Sequence, residues 1–371
     1  MVEVKITYSI GAALGGDGIG YTALNAVKGL FRRNYLEKAI CVNSKTDEIN
    51  PNLVVEIKIL QRIKRKRVLS DNSFDLLASR HIKDCDVFHG WNSKCLFSLY
   101  KARKHRAKTV VERASSHILT QNKLLSGEYE NFGLKNKPID RYTILKCKKE
   151  YETTDFITVP SKFAYNSFLE YGFDEKKLWL IPFGVDTEIF KPSEKSNNIF
   201  RILFVGQISL RKGVQHLLKA FSEMNLKNAE LILRGSIKPD IRDILDYYKK
   251  KIDFRIIKFA KQNELVKLFN SSSVFVLPSI EEGSALVTYE AMACGLPLIV
   301  TENSGAVAIN GKHGFTIPIR DSSAIKEKIE YFYHNEKDRR KMGNNARKYV
   351  QQYFTWDKYA ENLIKHYKNV L

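Results

Sequence analysis

Two glutamates, Glu282 and Glu290, stand with seven residues between them in the stretch LPSIEEGSALVTYEAMACGLP that begins at Leu277. The stretch reads as strand, loop, helix and a Gly-x-Pro turn into a further strand. Glu282 falls in the loop and Glu290 about one turn into the helix. Alone, the pair reads as solvated carboxylates on a helix and its lead-in. Upstream, FVGQISLRKG from Phe204 to Gly213 sets Arg211 and Lys212 where a strand passes into a helix. Arginine can clamp phosphate oxygens in two-pronged fashion and lysine adds a point charge, so a diphosphate suits this junction. Cations oppose the dipole at a helix start, which itself hints at a bound anion. A third junction, GAALGGDGIG from Gly11 to Gly20, is a glycine-rich loop. Its N–H groups could approach an anion or a sugar. The order of its glycines is not the dinucleotide-binding order, and no phosphate-loop lysine follows.

These junctions need strands and helices in alternation to position them, and the chain supplies two such series. Strand patterns at 4–10, 38–42, 54–60, 87–91, 109–112 and 156–159 alternate with helical ones, notably 21–33, 118–129 and 140–151. A second series has strands at 202–205, 229–233, 254–258, 274–277, 298–301 and 315–317, with helices at 214–224, 240–250, 265–270 and 286–293. After Asp321 the pattern is helical. Alternation of this kind gives parallel sheets covered by helices. The predicted parts are a first domain over 1–185, a linker over 186–198, a second domain over 199–350 and a terminal helix over 351–371. Ligands of open α/β sheets sit beyond the carboxyl ends of the strands, so two doubly wound domains predict a site in an interdomain cleft.

Bulk composition agrees. A chain of 371 residues with 44% hydrophobic and 27% charged residues is long enough for two cores and ordinary for a globular protein. Five cysteines without a paired-spacing motif read as reduced, mostly buried thiols. No apolar run approaches membrane-spanning length and the start does not resemble a signal peptide, so the expected place is the cytoplasmic side of any membrane. The unusual feature is charge: 61 Lys+Arg against 41 Asp+Glu leaves +20. That surplus favours an anionic partner. It is concentrated at 62–67 (RIKRKR) and 101–108 (KARKHRAK), with Arg32 and Arg33, all in the first domain.

The Glu282/Glu290 segment resembles the E-x7-E pattern of retaining glycosyltransferases with the GT-B fold, in particular glycosyltransferase family 4. Other pieces follow in the family's order. Val159-Pro160-Ser161, Tyr171-Gly172 and IPFGVD from Ile181, continuing to Phe190-Lys191-Pro192, resemble its linker motif. Lys212-Gly213 resembles its phosphate-binding lysine. The stretch from Tyr353 to Tyr359, with Trp356, resembles the helix that crosses back to the first domain. The sequence departs from the family at Gln207, usually arginine, at Phe183, often asparagine, and at Ser284-Ala285, commonly Phe-Gly.

The resemblance implies two Rossmann-like doubly wound domains and a retaining transfer from a UDP-, GDP- or ADP-sugar to a hydroxyl acceptor, which a lipid could carry. It implies that Glu282 contacts the donor sugar and Glu290 the ribose. The donor-binding set it implies is Gly16, Gln207, Arg211, Lys212, Gly235, Ser284, Ala285, Leu286, Val287 and Glu290. His117, after a strand of the first domain, stands near a histidine that touches the sugar in relatives; a cap or core histidine is the other reading, and His89 is the rival. Asp84-Cys85-Asp86 imitates a metal-binding D-x-D motif but reads as solvated strand-entry residues, so no metal or other cofactor is expected. The basic runs suit an anionic membrane surface or lipid-phosphate acceptor, which predicts peripheral attachment. Two competitors are a GT-B nucleotide-sugar epimerase and a basic nucleic-acid-binding protein. The second would need an aromatic-basic platform or reader motif, and the sequence has neither.

Overall fold

The computed structural model describes residues 4–59, 67–135, 137–193, 198–258 and 261–371. They form two compact units.

Unit 1 draws on Met1–Thr120, Ile139–Phe183 and Trp356–Leu371. Its strands are β1 (Ile6–Leu14), β2 (Leu36–Ser44), β3 (Val54–Glu56), β4 (Val87–Trp91), β5 (Lys108–Glu112), β6 (Phe156–Val159) and β7 (Leu178–Leu180). All pair in parallel, in the order β3-β2-β1-β4-β5-β6-β7. Every residue of β4 is buried, as expected of a strand covered on both faces. The first glycine-rich loop is shorter than the sequence predicts. After a register shift, β1 pairs Ala13 with Asn43 and Leu14 with Ser44, so ladder bonding carries it through to Leu14.

The helix Trp356–Lys368 belongs to this unit and is fixed to it by a buried polar network. Glu112, at the end of β5, accepts from Tyr359 Oη at 2.8 Å and from Tyr8 Oη at 2.7 Å. His89 Nε2 lies 3.0 Å from the same carboxylate, and its Nδ1 lies 2.6 Å from Tyr367 Oη. With Glu112 accepting, the ring donates from Nε2 and accepts the tyrosine proton at Nδ1. The helix also packs on Ile19–Arg32 so closely that a Cβ added at Gly29 would lie 2.2 Å from Ala360 Cβ.

Unit 2 comprises Gln121–Pro138 and Gly184–Thr355. Its strands β8 (Phe200–Val205), β9 (Ala229–Arg234), β10 (Arg255–Ile257), β11 (Val274–Leu277), β12 (Leu298–Thr301) and β13 (Gly314–Ile317) are again all parallel, ordered β10-β9-β8-β11-β12-β13. The chain thus winds outward from β8 in one direction and from β11 in the other. The topological switch point lies between those two strands.

The division of the chain differs from the predicted boundaries in three places, each for a physical reason. Residues 121–138, predicted within the first domain, group with unit 2, because the buried Glu128 accepts from Gln215 Nε2 (2.7 Å) and from Arg320 Nε and lies 2.9 Å from His216 Nε2. The break falls after Phe183 rather than Val185. The described part of the predicted linker joins unit 2, where Arg347 donates to the carbonyls of Thr187, Phe190 and Ala293. At the far end, Thr355 pairs with Val185 in unit 2, and the helix begins afresh at Trp356. Among the described residues, no helix is long and apolar enough to cross a membrane. All five cysteines are buried and free.

Candidate functional site

The loops at the switch point of unit 2 carry the residues singled out by the sequence. After β8 the chain turns at Gly206, passes the exposed Gln207 and forms the short 3-10 turn Leu210–Lys212. Gly213 then starts the helix Val214–Ser222. Arg211 and Lys212 therefore sit in a turn ahead of the helix rather than in its first turn. Gly213 has φ +70°, and a Cβ there would lie 1.9 Å from Pro278 O. Only glycine lets the loop after β8 lie this close to the loop after β11. Ile280 N donates to Arg211 O at 2.9 Å and fixes the register of the two loops.

This contact brings four charges together. Arg211 donates from Nε to the carbonyl of Glu281 at 3.0 Å, and its Nη2 lies 3.0 Å from Glu281 Oε2 and 3.7 Å from Glu282 Oε2. Lys212 Nζ stands 2.5 Å from Glu282 Oε1. Burial works to raise the pKa of Glu282, but Arg211 and Lys212 outweigh it and hold the carboxyl below its usual range. Burial likewise works against the Arg211 cation, and Glu282 with Glu281 overcomes it, raising that pKa. The sequence predicted that these cations await an anion. In the structure two carboxylates of the same unit already neutralise them.

Glu281 is a site residue that the sequence reading missed. It is fully buried and also accepts from Gln121 Nε2 at 2.9 Å. The available signal was the adjacency of two glutamates in the short loop after an apolar strand.

The helix Leu286–Ala293 follows. Ala285 caps it, donating its N–H to Ser304 O at 3.1 Å. Leu286 and Val287 occupy its first turn, where N–H groups have no acceptor within the helix. Ser284 is engaged: its Oγ donates to Gly305 O at 2.7 Å and lies 2.8 Å from Tyr289 Oη. Glu290 is different. Its Oε2 is buried with no hydrogen-bond partner among the described residues. Burial pushes the carboxyl up to about 7, with Arg234 as the cation working against it. Gly235, after β9, has φ +151°, and a Cβ there would lie 1.7 Å from Gly206 O. Beyond the same strand ends, a cavity of about 470 Å³ is lined by Ser236, Ile237, Arg242, Leu245 and Lys258, among others. A larger cavity of about 980 Å³ lies at the amino ends of the strands, around Phe200, Ser273 and Pro297, and holds none of the predicted residues.

Two family models match the chain nearly end to end. "Glycosyltransferase Family 4" covers residues 16–189 and "Glycosyl transferases group 1" covers residues 185–349. The chain belongs to this glycosyltransferase family. One relative is the capsular polysaccharide biosynthesis glycosyltransferase CapM of Staphylococcus aureus, 28% identical over 59% of this chain and 62% of that protein. Another is a probable sucrose-phosphate synthase of Thermosipho melanesiensis, 30% identical over 55% of this chain and 50% of that protein. The alignments thus span about half to three fifths of these relatives. In fold, the chain matches sucrose-phosphate synthase from Thermosynechococcus elongatus with a TM-score of 0.77 at 19% identity, covering 99% of both chains. It matches Anabaena HepE, solved with UDP and glucose, with a TM-score of 0.74 at 15% identity, covering 99% of this chain and 100% of that one. Both units are the Rossmann-like sheets of the GT-B fold.

Family membership does not assign the residues of unit 1. Gly16 lies in the turn after β1, where its N–H donates to Ala13 O at 3.0 Å, while Gly15 N donates to Gly20 O and Gly20 N to Asp17 O. These amides already have acceptors inside the loop. His117 is buried and stacked on Tyr171 with ring centroids 4.2 Å apart, and Tyr151, Phe168 and Phe173 surround it. Burial first, then Arg113 and Lys148, lowers its pKa to about 3, so the ring is neutral at ordinary pH. His89, its rival, is held in the Glu112 network. Asp86 Oδ2 accepts from Lys5 N at 2.7 Å, and Asp84 is exposed. Among the described residues, no three His, Cys, Asp or Glu side chains gather as a metal site. Of the basic runs, residues 62–66 lie outside the described residues. Residues 101–108 close the helix Leu96–Lys104, turn, and enter β5.

Proposed function

We propose that the chain transfers a sugar, with retention at the anomeric carbon, from a nucleoside-diphosphate sugar to a hydroxyl acceptor. The observation that carries this reading is Glu290 Oε2, a buried carboxylate oxygen with no hydrogen-bond partner among the described residues, one turn into the helix that follows the four-charge cluster. A buried acceptor without a donor is costly, and ribose hydroxyls are donors of the right kind to complete it. The diphosphate then fits the switch point, against Arg211, Lys212 and the first-turn N–H groups of Leu286 and Val287. Lys212 exchanges Glu282 for a phosphate oxygen, which releases the Glu282 carboxylate to a hydroxyl of the donor sugar.

In the transfer, the bond between the anomeric carbon and the phosphate oxygen breaks as positive charge grows on the sugar ring. Arg211 and Lys212 neutralise the negative charge gathering on the departing diphosphate. The acceptor oxygen bonds to the same face of the carbon, and its proton passes to the departing phosphate oxygen. These two cations supply the neutralisation that a metal gives in other transferases, so EDTA is expected to leave activity intact. Uridine is the base favoured by the fold match to a UDP-bound protein, and a polysaccharide acceptor is favoured by the likeness to CapM. Five free, buried thiols support a reducing compartment.

The test is a hydrolysis and transfer panel of UDP-, GDP- and ADP-sugars, with product configuration read by NMR. Turnover of one class with retained configuration, unaffected by EDTA, is the expected result. An inverted product, or turnover that requires added metal, overturns the mechanism; failure of every donor overturns the assignment.

A further inference from the structure

Six large apolar side chains left exposed in unit 1 belong to three helices that pack together. Leu69 and Leu76 lie on Arg67–Ser79, Phe97 and Tyr100 on Leu96–Lys104, and Tyr142 and Leu145 on Arg141–Thr153. Buried polar groups hold these helices from beneath. Asp75 accepts from Phe97 N at 2.9 Å and Ser98 N at 3.0 Å. Lys146 donates to Asn72 Oδ1 at 2.7 Å and lies 3.4 Å from Asp75 Oδ2. Phe97 and Tyr142 line one depression of about 230 Å³ together with Val68 and Leu96. Helical spacing extends the apolar surface from there: Leu69 and Leu76 flank Asn72 on its own face, Tyr100 follows Phe97 by one turn, and Leu145 follows Tyr142 by one turn.

The charge on this face has one dominant sign. Lys104 follows Tyr100 by one turn, Lys148 and Lys149 follow Leu145 by one turn, and all three are exposed, while Asp75 and Glu150 are buried and Asp71 is tucked against Lys94 at 3.3 Å. The outward carboxylates are few and occupied: Asp140 caps Thr143 N at 2.8 Å, and Glu152 pairs with Lys149 at 3.2 Å.

We propose that this face of unit 1 docks on an anionic lipid bilayer. A cluster of exposed apolar side chains on packed helices marks an interaction surface. Apolar side chains seated in the headgroup boundary, with cations beside them at the lipid phosphates, are what a bilayer surface stabilises. A second copy of the chain would bring two strongly basic faces together, and the net charge of +20 opposes that. A nucleic acid would answer the cations and leave Leu69, Leu76 and Leu145 in water.

The experiment is sedimentation of the full chain with vesicles of phosphatidylcholine, alone or mixed in equal parts with phosphatidylglycerol. Neither donor nor activity enters it, so it stands or falls apart from the transferase reading. Binding to the mixed vesicles and none to phosphatidylcholine alone is expected. Phe97→Ser and Tyr142→Ser should each lower the binding constant about tenfold. Lys104→Ala and Lys148→Ala should each lower it about fivefold. All four positions are exposed, and an unchanged melting temperature will confirm folding. Equal binding to both vesicles, or parental binding by the Phe97/Tyr142 double variant, overturns the proposal. So does a concentration-dependent dimer or an RNA complex that the same double variant abolishes.

Discussion

Nucleoside affinity should rise with pH through the neutral range, because binding must take a proton from Glu290. Burial lifts that carboxyl from its ordinary 4.5 to about 7. Ribose hydroxyls donate hydrogen bonds, so the ionised form is the one they complete. With a midpoint near neutrality, about a tenth of the protein is ionised at about pH 6 and about nine tenths at about pH 8. If only that form binds fully, affinity grows about tenfold across the window, equivalent to about 1.4 kcal/mol. Calorimetry with a nucleoside lacking phosphate, in buffers of different ionisation enthalpy, measures both the affinity and the proton release. The parent should release close to one proton at the acid end and almost none at the alkaline end. Glu290→Gln should bind weakly, with no slope and no proton release. The unliganded protein provides a check of sign. A carboxyl whose pKa is raised on folding keeps a proton that the unfolded chain has lost between about 4.5 and about 7, so stability falls as pH rises through that window. Glu290→Gln removes this loss and should be the more stable protein above neutrality. A pH-independent parent, or a Gln variant that keeps the slope, would refute the reasoning.

Three further outcomes follow from the same geometry. Lys212→Ala should weaken nucleoside-diphosphate binding by about 1.5–3 kcal/mol and leave nucleoside binding unchanged, measured by titration of both ligands. Glu282→Gln should bind the diphosphate several-fold tighter than the parent, because Lys212 no longer has a carboxylate to give up, while kcat for transfer falls; weaker diphosphate binding would show that the pair does not compete with the ligand. Gly29→Ala forces a methyl against Ala360 Cβ and should cost about 1–3 kcal/mol in a denaturant melt, which a compensating Ala360→Gly should largely restore.

The second sheet was legible because its inner strands carry a plain signature. Ile202–Val205, Val274–Leu277 and Leu298–Val300 are continuous apolar runs, as strands buried on both faces must be. β7 escaped notice because three residues, Leu178–Leu180, give no period to read and run directly into Ile181-Pro182. Gly11 suggested the start of a loop where the ladder continues to Leu14, since neighbouring strands and not local propensity decide how far a strand runs. In the site, Glu282 and Glu290 were found because their spacing survives in one short segment. Glu281 was passed over because nothing in its own neighbourhood announces Arg211 or Gln121, which come from distant parts of the chain. His117 shows the converse: its aromatic surroundings come from Tyr151, Phe168, Tyr171 and Phe173, and no local pattern could separate a ligand-facing imidazole from one stacked in a core.

The helix Trp356–Lys368 completes a unit whose other parts were made far earlier in the chain. During synthesis, β1, β4 and β5 leave the ribosome long before their last partner exists. Until it arrives, Glu112 and His89 lack Tyr359 and Tyr367, and the groove beside Gly29 stands open. Unit 2 can fold as a continuous stretch in the meantime, apart from the loan of residues 121–138. Domain-wise folding from the N-terminus is therefore reversed here: the unit begun first is finished last. A released chain cut before Trp356 would keep every residue of unit 2 and leave unit 1 with Glu112 and His89 stripped of Tyr359 and Tyr367, a ready substrate for chaperones and proteases.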